Sequence, residues 1–248
     1  MTSSIKSIMN ENVLDKTVLV RADLNIPMSN GNISDQSRVE RVIPTINFLK
    51  SSGAKIVICS HLGRPNGKYN KNYTLKPLVE ILSNILETNV RFSNSCLGQE
   101  ALEIKTSLKA GEILLLENVR FHEEEINNSL SFAKKLSEGC DLFVNDAFSC
   151  SHRAHSSLHA ITNFLPSYSG KLMDEEIKAL TSVLSSPIKP VAALVGGAKI
   201  STKINIIEYL ITKMDYLIIG GAMANTFLVA EGLDVGKSLF EKDSVNIA

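Results

Sequence analysis

The chain has no excess of charge of either sign: 26 Lys and Arg residues balance 26 Asp and Glu residues over 248 positions. A nucleic-acid coat or a protein held on an anionic membrane carries surplus basic groups, so both classes are disfavoured. Long hydrophobic runs are also missing, and no segment approaches the roughly 18 unbroken apolar residues of a membrane span. The N-terminal stretch from Met1 to Asn10 is polar and lacks the apolar core of a signal peptide. Cysteine is sparse, and Cys59, Cys96, Cys140 and Cys150 form no Cys-x-x-Cys pair, so a reduced, cytoplasmic protein is expected. No Gly-x-Gly-x-x-Gly follows the first strand-like run, which disfavours a nucleotide-dependent oxidoreductase.

What is present is an alternation of strand and helix patterns, in a chain whose 44% hydrophobic content can bury a core for one large domain or two smaller ones. Strands are expected at Thr17–Val20, Lys55–Cys59, Glu112–Leu116 and Leu142–Val144, with a short one near Asn89–Phe92. The run Ile113-Leu114-Leu115-Leu116 is apolar on both faces, as a parallel sheet needs. Helical spacing of Val39, Val42, Ile43, Ile46 and Leu49 predicts a helix capped by Ser34 or Asp35, with Pro44 kinking or interrupting it. Further helices are expected from Thr74, over Leu130–Leu136 and over Gly170–Leu184, the last stopped by Ser185-Ser186-Pro187. A second α/β series follows: strand Pro190–Val195, helix Ile200–Ile211, strand Asp215–Ile219 and a helix from Ala222. Two strands and two helices are too few for an independent core, so a truncated piece of a larger protein is expected.

The chemistry-bearing residues sit just past the strands. In an open parallel sheet that is where ligands bind, so residues far apart in sequence can converge on one small anion. Asp23 and Asn25 follow the first strand, where they can hold ligand hydroxyls or serve as turn residues. Ser60-His61-Leu62-Gly63-Arg64-Pro65 follows the second; Gly63 permits close backbone approach, while His61 and Arg64 supply donors. Arg120 follows the third, either facing a ligand or satisfied by Glu117, Glu123 or Glu124. Past the fourth, His152, His155 and Cys150 suggest zinc, but no second ligand pair exists at standard spacing, so Arg153 as an anion ligand is favoured and no metal site is expected. By position alone Arg38, in the first turn of its helix, reads as a solvated charge. Gly196-Gly197-Ala198-Lys199 opens the predicted helix with Lys199 and Lys203 on one face, a layout that cradles phosphate or is merely a tight turn. It lacks Walker A spacing.

In order along the chain, these segments resemble phosphoglycerate kinases. The resemblance rests on Arg-x-Asp-x-Asn-x-Pro at 21–27, Ser-His-Leu-Gly-Arg-Pro at 60–65 and Leu-Glu-Asn-Val-Arg-Phe at 116–121. It continues through Asn-Asp-Ala-Phe at 145–148, His-Arg-Ala-His at 152–155 and Gly-Gly-Ala-Lys at 196–199. The fold it implies is α/β, with a Rossmann-like parallel sheet in an N-terminal phosphoglycerate-binding domain (1–169), an interdomain connector helix (170–186) and an incomplete second α/β nucleotide-binding domain (187–248). The activity it implies is reversible phosphoryl transfer between 1,3-bisphosphoglycerate and ADP, giving 3-phosphoglycerate and ATP, with Mg2+ and hinge closure, in a protein monomeric at full length.

Carried over by motif, the glycerate site comprises Asp23, Leu24, Asn25, Arg38, His61, Leu62, Gly63, Arg64, Arg120 and Arg153. Gly196, Gly197, Lys199 and Lys203 fall on the nucleotide side, and Arg38 and Lys199 take the catalytic, charge-neutralising role. The family's usual Gly-Thr after Asn-Asp-Ala-Phe is replaced here by Ser149-Cys150, and its later glycine-rich Asp-Thr segment is absent. A non-catalytic phosphoglycerate-binding module is the alternative, and an isolated fragment is expected to be inactive.

Overall fold

Successive strand residues point to opposite faces, and in the first part of this chain both faces lead to core. In the computed structural model, which describes residues 5–26, 28–29, 32–33, 35–185 and 187–248, two compact units are separated, Met1–Ile177 and Lys178–Ala248. Pro27 of the first motif, the cap candidate Ser34 and the helix-stop residue Ser186 lie outside the described residues. The first unit runs β1 (Thr17–Ala22), β2 (Met28–Ser29), β3 (Asn32–Ile33), α1 (Ser37–Ser51), β4 (Lys55–Cys59), α2 (Leu78–Ile85) and β5 (Val90–Ser93). It continues with α3 (Gln99–Ser107), β6 (Ile113–Leu116), α4 (Glu123–Ile126), α5 (Leu130–Ser137), β7 (Leu142–Asp146), β8 (Ser167–Ser169) and the start of α6 (Lys171–Ser185).

Six strands form one parallel sheet in the order β5-β6-β4-β1-β7-β8. Val18, Val20, Ile56, Ile58, Ile113 and Leu115 pack on one face with Val39, Val42, Ile46 and Leu49 of α1 and Leu78 and Leu82 of α2. Their alternates Leu19, Val57, Leu114, Leu116 and Phe143 face the other way, against Ala101 of α3 and Phe132, Ala133 and Leu136 of α5. β1 lies between β4 and β7, so the chain builds outward from β1 first on one side and later on the other. A crevice at the carboxyl ends of β1, β4 and β7 is the geometric result.

The second unit pairs β9 (Ala192–Gly196) in parallel with β10 (Tyr216–Gly220), with α7 (Ile204–Ile211) and α8 (Ala222–Ala230) on one face. Ile200, Ile207 and Met223 form its buried centre, with Val195, Leu217, Ile219 and Phe227 packed around them. The other face leaves Leu194 74% and Ile218 54% exposed.

Several elements depart from expectation. α1 runs uninterrupted through Pro44, because the proline is on the exposed face, where the orphaned Glu40 carbonyl can bond water. α2 begins at Leu78 rather than Thr74, since Glu117 accepts hydrogen bonds from both the Thr74 hydroxyl and the Leu75 amide. α7 begins at Ile204, with Ile200–Lys203 in a turn closed by Lys203 N donating to Ile200 O. Lys199 and Lys203 therefore do not share a helix face. The Ser201 amide and hydroxyl are claimed by Glu241, which holds the preceding segment out of the helix. The apolar stripe of α6 is not a buried seam: Met173 is its buried residue and Leu180 is 48% exposed. α3 and β8 were not expected.

Candidate functional site

Four loops leaving β1, β4, β6 and β7 enclose a cavity of about 270 Å³ lined by Asp23, Asn25, Arg38, His61, Gly63, Arg64, Arg120, Ser149, Cys150 and Arg153. Four arginines face one carboxylate, so the cavity is strongly cationic. Arg120 is 6% exposed and serves as a floor, whereas Arg38, Arg64 and Arg153 are exposed around it.

The walls are held by hydrogen bonds between loops. Ser60 Oγ donates to the Ala22 carbonyl (2.8 Å) and accepts from the Leu24 amide (2.9 Å), tying the end of β4 to the end of β1. Gly63 N donates to Asn25 Oδ1 at 2.8 Å, and Arg120 Nη1 donates to the Gly63 carbonyl at 2.9 Å. Asn118 Nδ2 donates to the Leu62 and Tyr73 carbonyls, which places the turn carrying Arg120. Gly63 has φ +62, and a Cβ there would lie 2.4 Å from the Tyr73 ring, so this position demands glycine. Leu24 and Leu62 belong to the binding motifs, but their side chains are buried in the core and do not line the cavity.

Arg120 is not paired with a neighbouring glutamate. Glu117 is engaged by Thr74, Leu75 and Asn118, and Arg120 Nε is buried with no partner among the described residues. Burial foremost, and then the Arg21 and Arg153 charges, lower the Arg120 pKa, so this cation is already costly and an incoming anion is its natural counter-charge. Arg38 Nη1 pairs with Asp23 Oδ2 at 2.5 Å, placing α1's first turn at the cavity despite the solvent-facing reading of the helix. Ser149 and Cys150, which reading by motif did not place in the site, complete the wall.

Among the described residues, one cluster of potential metal ligands is present: Asp23, His61 and Cys150, with ligand atoms within 4.8 Å of one another. His152 and His155 do not join it. The donor set does not fit a metal, because Asp23 is occupied by Arg38 and Ser149 and His61 Nδ1 faces the Arg21 guanidinium at 3.1 Å. Asp146, beneath the cavity, accepts from Thr45 Oγ1 and the Met173 amide, and burial raises its pKa to about 6.

In the second unit the ends of β9 and β10 each carry a glycine pair. A Cβ at Gly221 (φ +69) would lie 2.9 Å from the Gly197 carbonyl, which accepts from the Met223 amide at 2.9 Å. Gly196 ends β9 and Gly197 lies against Gly221, with the Lys203 aliphatic chain close to Gly197 and Lys199 exposed beyond it. The segment offers amides and ammonium groups but no set of oxygen ligands for a hard cation.

A family model described as phosphoglycerate kinase matches residues 8–248. Among curated relatives, phosphoglycerate kinase of Brucella melitensis is 47% identical over 243 residues, covering 98% of this chain and 61% of the relative. That of Bradyrhizobium diazoefficiens is 48% identical with the same coverage. Among solved structures, phosphoglycerate kinase from Coxiella burnetii superposes with a TM-score of 0.87 at 41% identity, over 98% of this chain and 61% of that one. The Pyrococcus horikoshii enzyme gives 0.82 at 36% identity, over 94% and 59%. The chain therefore spans about 61% of the length of the curated relatives it matches.

Proposed function

The chain belongs to the phosphoglycerate kinase family, and from that premise we propose that its β1–β4–β6–β7 cavity binds the phosphorylated, carboxylated substrate of that family. The observation that carries the reading is the four-arginine cavity with the buried, unpaired Arg120 Nε at its floor. The whole activity we propose is transfer of a phosphoryl group between 1,3-bisphosphoglycerate and ADP in glycolysis, in the cytoplasm, by a monomer. Residues 1–169 act as the phosphoglycerate-binding domain, 170–186 as the connector and 187–248 as part of the nucleotide-binding domain.

The residue types suit this chemistry. In the ATP-consuming direction the nucleophile is a carboxylate with a pKa of about 3.5, ionised at neutral pH, so no general base is required. What remains is positioning and neutralising charge on the transferring group. Arg38 takes that role with its planar guanidinium, and Lys199 does so from the nucleotide side. Asp23 and Asn25 orient hydroxyls, and His61, Gly63, Arg64, Arg120 and Arg153 clamp the acid. Gly196, Gly197 and Lys203 meet nucleotide phosphates. Magnesium enters as part of the nucleotide substrate, since the Gly196–Lys203 segment supplies no ligand set for it.

Titration calorimetry of the 248-residue chain with 3-phosphoglycerate at low salt tests the site. Binding is expected, and Arg64→Ala should weaken it by roughly tenfold or more, the effect of losing one charge-assisted contact. Absence of binding sinks the proposal. A coupled ATP assay on a chain of full family length separates an enzyme from a binding module.

A further inference from the structure

Arg21 lines no part of the cavity, yet it is fully buried directly behind it, inside β1. Its Nη1 donates to the Ala22 carbonyl, its Nε to Ser157 Oγ at 2.9 Å, and its Nη2 reaches His61 Nδ1 at 3.1 Å. A guanidinium has donors and no acceptor, so His61 Nδ1 must be the accepting nitrogen. The ring is then neutral and its proton sits on Nε2, which has no protein partner among the described residues.

We propose that Arg21 is a positioning residue that locks His61 as the Nε2–H tautomer, making it an uncharged, permanently available hydrogen-bond donor to an oxygen of the bound acid. The inference rests on the anion-binding reading of the cavity. Arg21 presses its charge against the back of the imidazole and polarises the opposite N–H, because bonds in such a chain strengthen one another. The ligand thus feels part of a buried positive charge without any proton transfer.

The surroundings agree. The groups facing His61 are Arg21 from β1, Arg120 after β6, Arg153 and His155 after β7, and Asp23 and Cys150 across the cavity. Burial first, then the Arg21 and Arg120 charges, hold His61 far below its usual range, at about 2. Arg21 itself forms no salt bridge among the described residues. Its charge is offset through Ser157, whose hydroxyl donates to Glu125 Oε1 at 2.6 Å and whose amide donates to Glu125 Oε2 at 2.8 Å. Glu125 is fully buried. This Arg21–Ser157–Glu125 relay keeps the arginine in place while leaving Nη2 for the histidine.

The test is long-range 15N–1H correlation spectroscopy of the 15N-histidine-labelled 248-residue chain, with His61 assigned by comparison with His61→Gln. The expected spectrum shows Nε2 protonated, Nδ1 bare and no titration from pH 5 to 8. Arg21→Met should give a tautomer mixture, whereas Arg21→Lys, which keeps a charged donor, should preserve the wild-type pattern. A wild-type His61 that carries its proton on Nδ1 or titrates in this window overturns the proposal, as does an Arg21→Met chain with an unchanged tautomer. If Arg21→Met does not fold, the wild-type and Arg21→Lys spectra decide. The spectra need no ligand, so failure to bind 3-phosphoglycerate would count against the site's function and leave the tautomer result standing.

Discussion

The Ser149 hydroxyl donates to Asp23 Oδ2, the same oxygen that receives the Arg38 guanidinium, although 126 residues separate Ser149 from Asp23. Glycine, usual at this place in the family, has no such donor. On the proposed reading of the site, the serine therefore occupies acceptor capacity that a glycerate hydroxyl would use. Ser149→Gly should tighten 3-phosphoglycerate binding by a few-fold, equivalent to about 1 kcal/mol or less for one exposed hydrogen bond. Calorimetry showing unchanged or weaker binding would contradict this competition.

Burial separates the arginines by their response to salt. Exposed Arg64 and Arg153 act through water, where charges are screened over about 8 Å at physiological ionic strength. Buried Arg120 is shielded from counter-ions. The affinity lost in Arg64→Ala should thus shrink as salt is raised, while the loss in Arg120→Met should persist. Equal salt dependence of the two losses would refute the floor-and-rim arrangement.

How far the site could be read in advance depended on where each residue stands relative to a strand. His61, Arg64 and Arg120 come within a few residues of apolar runs and Arg153 lies in the loop after another, and parallel topology brings the ends of such runs together. Ser149 follows the same strand as Arg153, but its part depends on reaching Asp23 at the end of the neighbouring β1, and local sequence does not encode the pairing of β1 with β7. Arg21 falls just past the expected strand Thr17–Val20, at the head of a family motif, and nothing local to it signals its total burial. For Leu24 and Leu62 motif membership pointed to the ligand side, while the strand-end geometry turns their side chains into the core. In the second unit the order of strand and helix was legible, but Glu241, 40 residues after Ser201, moved the start of α7.

Asp146 gives a signed pH dependence. Its pKa is raised from 3.8 to about 6, so the folded chain binds this proton more tightly than the unfolded chain. Its contribution to stability must therefore fall as pH rises from about 4 to about 6, by roughly 3 kcal/mol at 1.36 kcal/mol per pKa unit. Urea denaturation at a series of pH values should show Asp146→Asn lacking that decline relative to wild type. Parallel profiles for the two chains would show that the carboxyl does not titrate as described.

Gly63→Ala combines two penalties: a left-handed backbone worth about 1–2 kcal/mol and a Cβ driven into Tyr73. Stability should fall and binding should be lost, because the Gly63 amide and carbonyl hold Asn25 and Arg120. Adding Tyr73→Ala should relieve the clash in thermal unfolding but not the backbone penalty. Full recovery in the double variant would show that φ carries no cost.

The placement of β1 between β4 and β7 also makes the cavity a timer of folding. The β1–β4 side joins residues about 38 apart, as in Val18 with Ile56, whereas the β1–β7 side waits for residues about 124 apart, as in Val18 with Leu142. Pairings so distant in sequence pay a large chain-closure entropy and form late. A nascent chain whose synthesis has not reached Ser149 lacks one rim arginine and the whole Ser149–Cys150 wall, whatever its first strands have achieved. In a refolding experiment, acquisition of phosphoglycerate binding should therefore mark closure of the sheet rather than its nucleation.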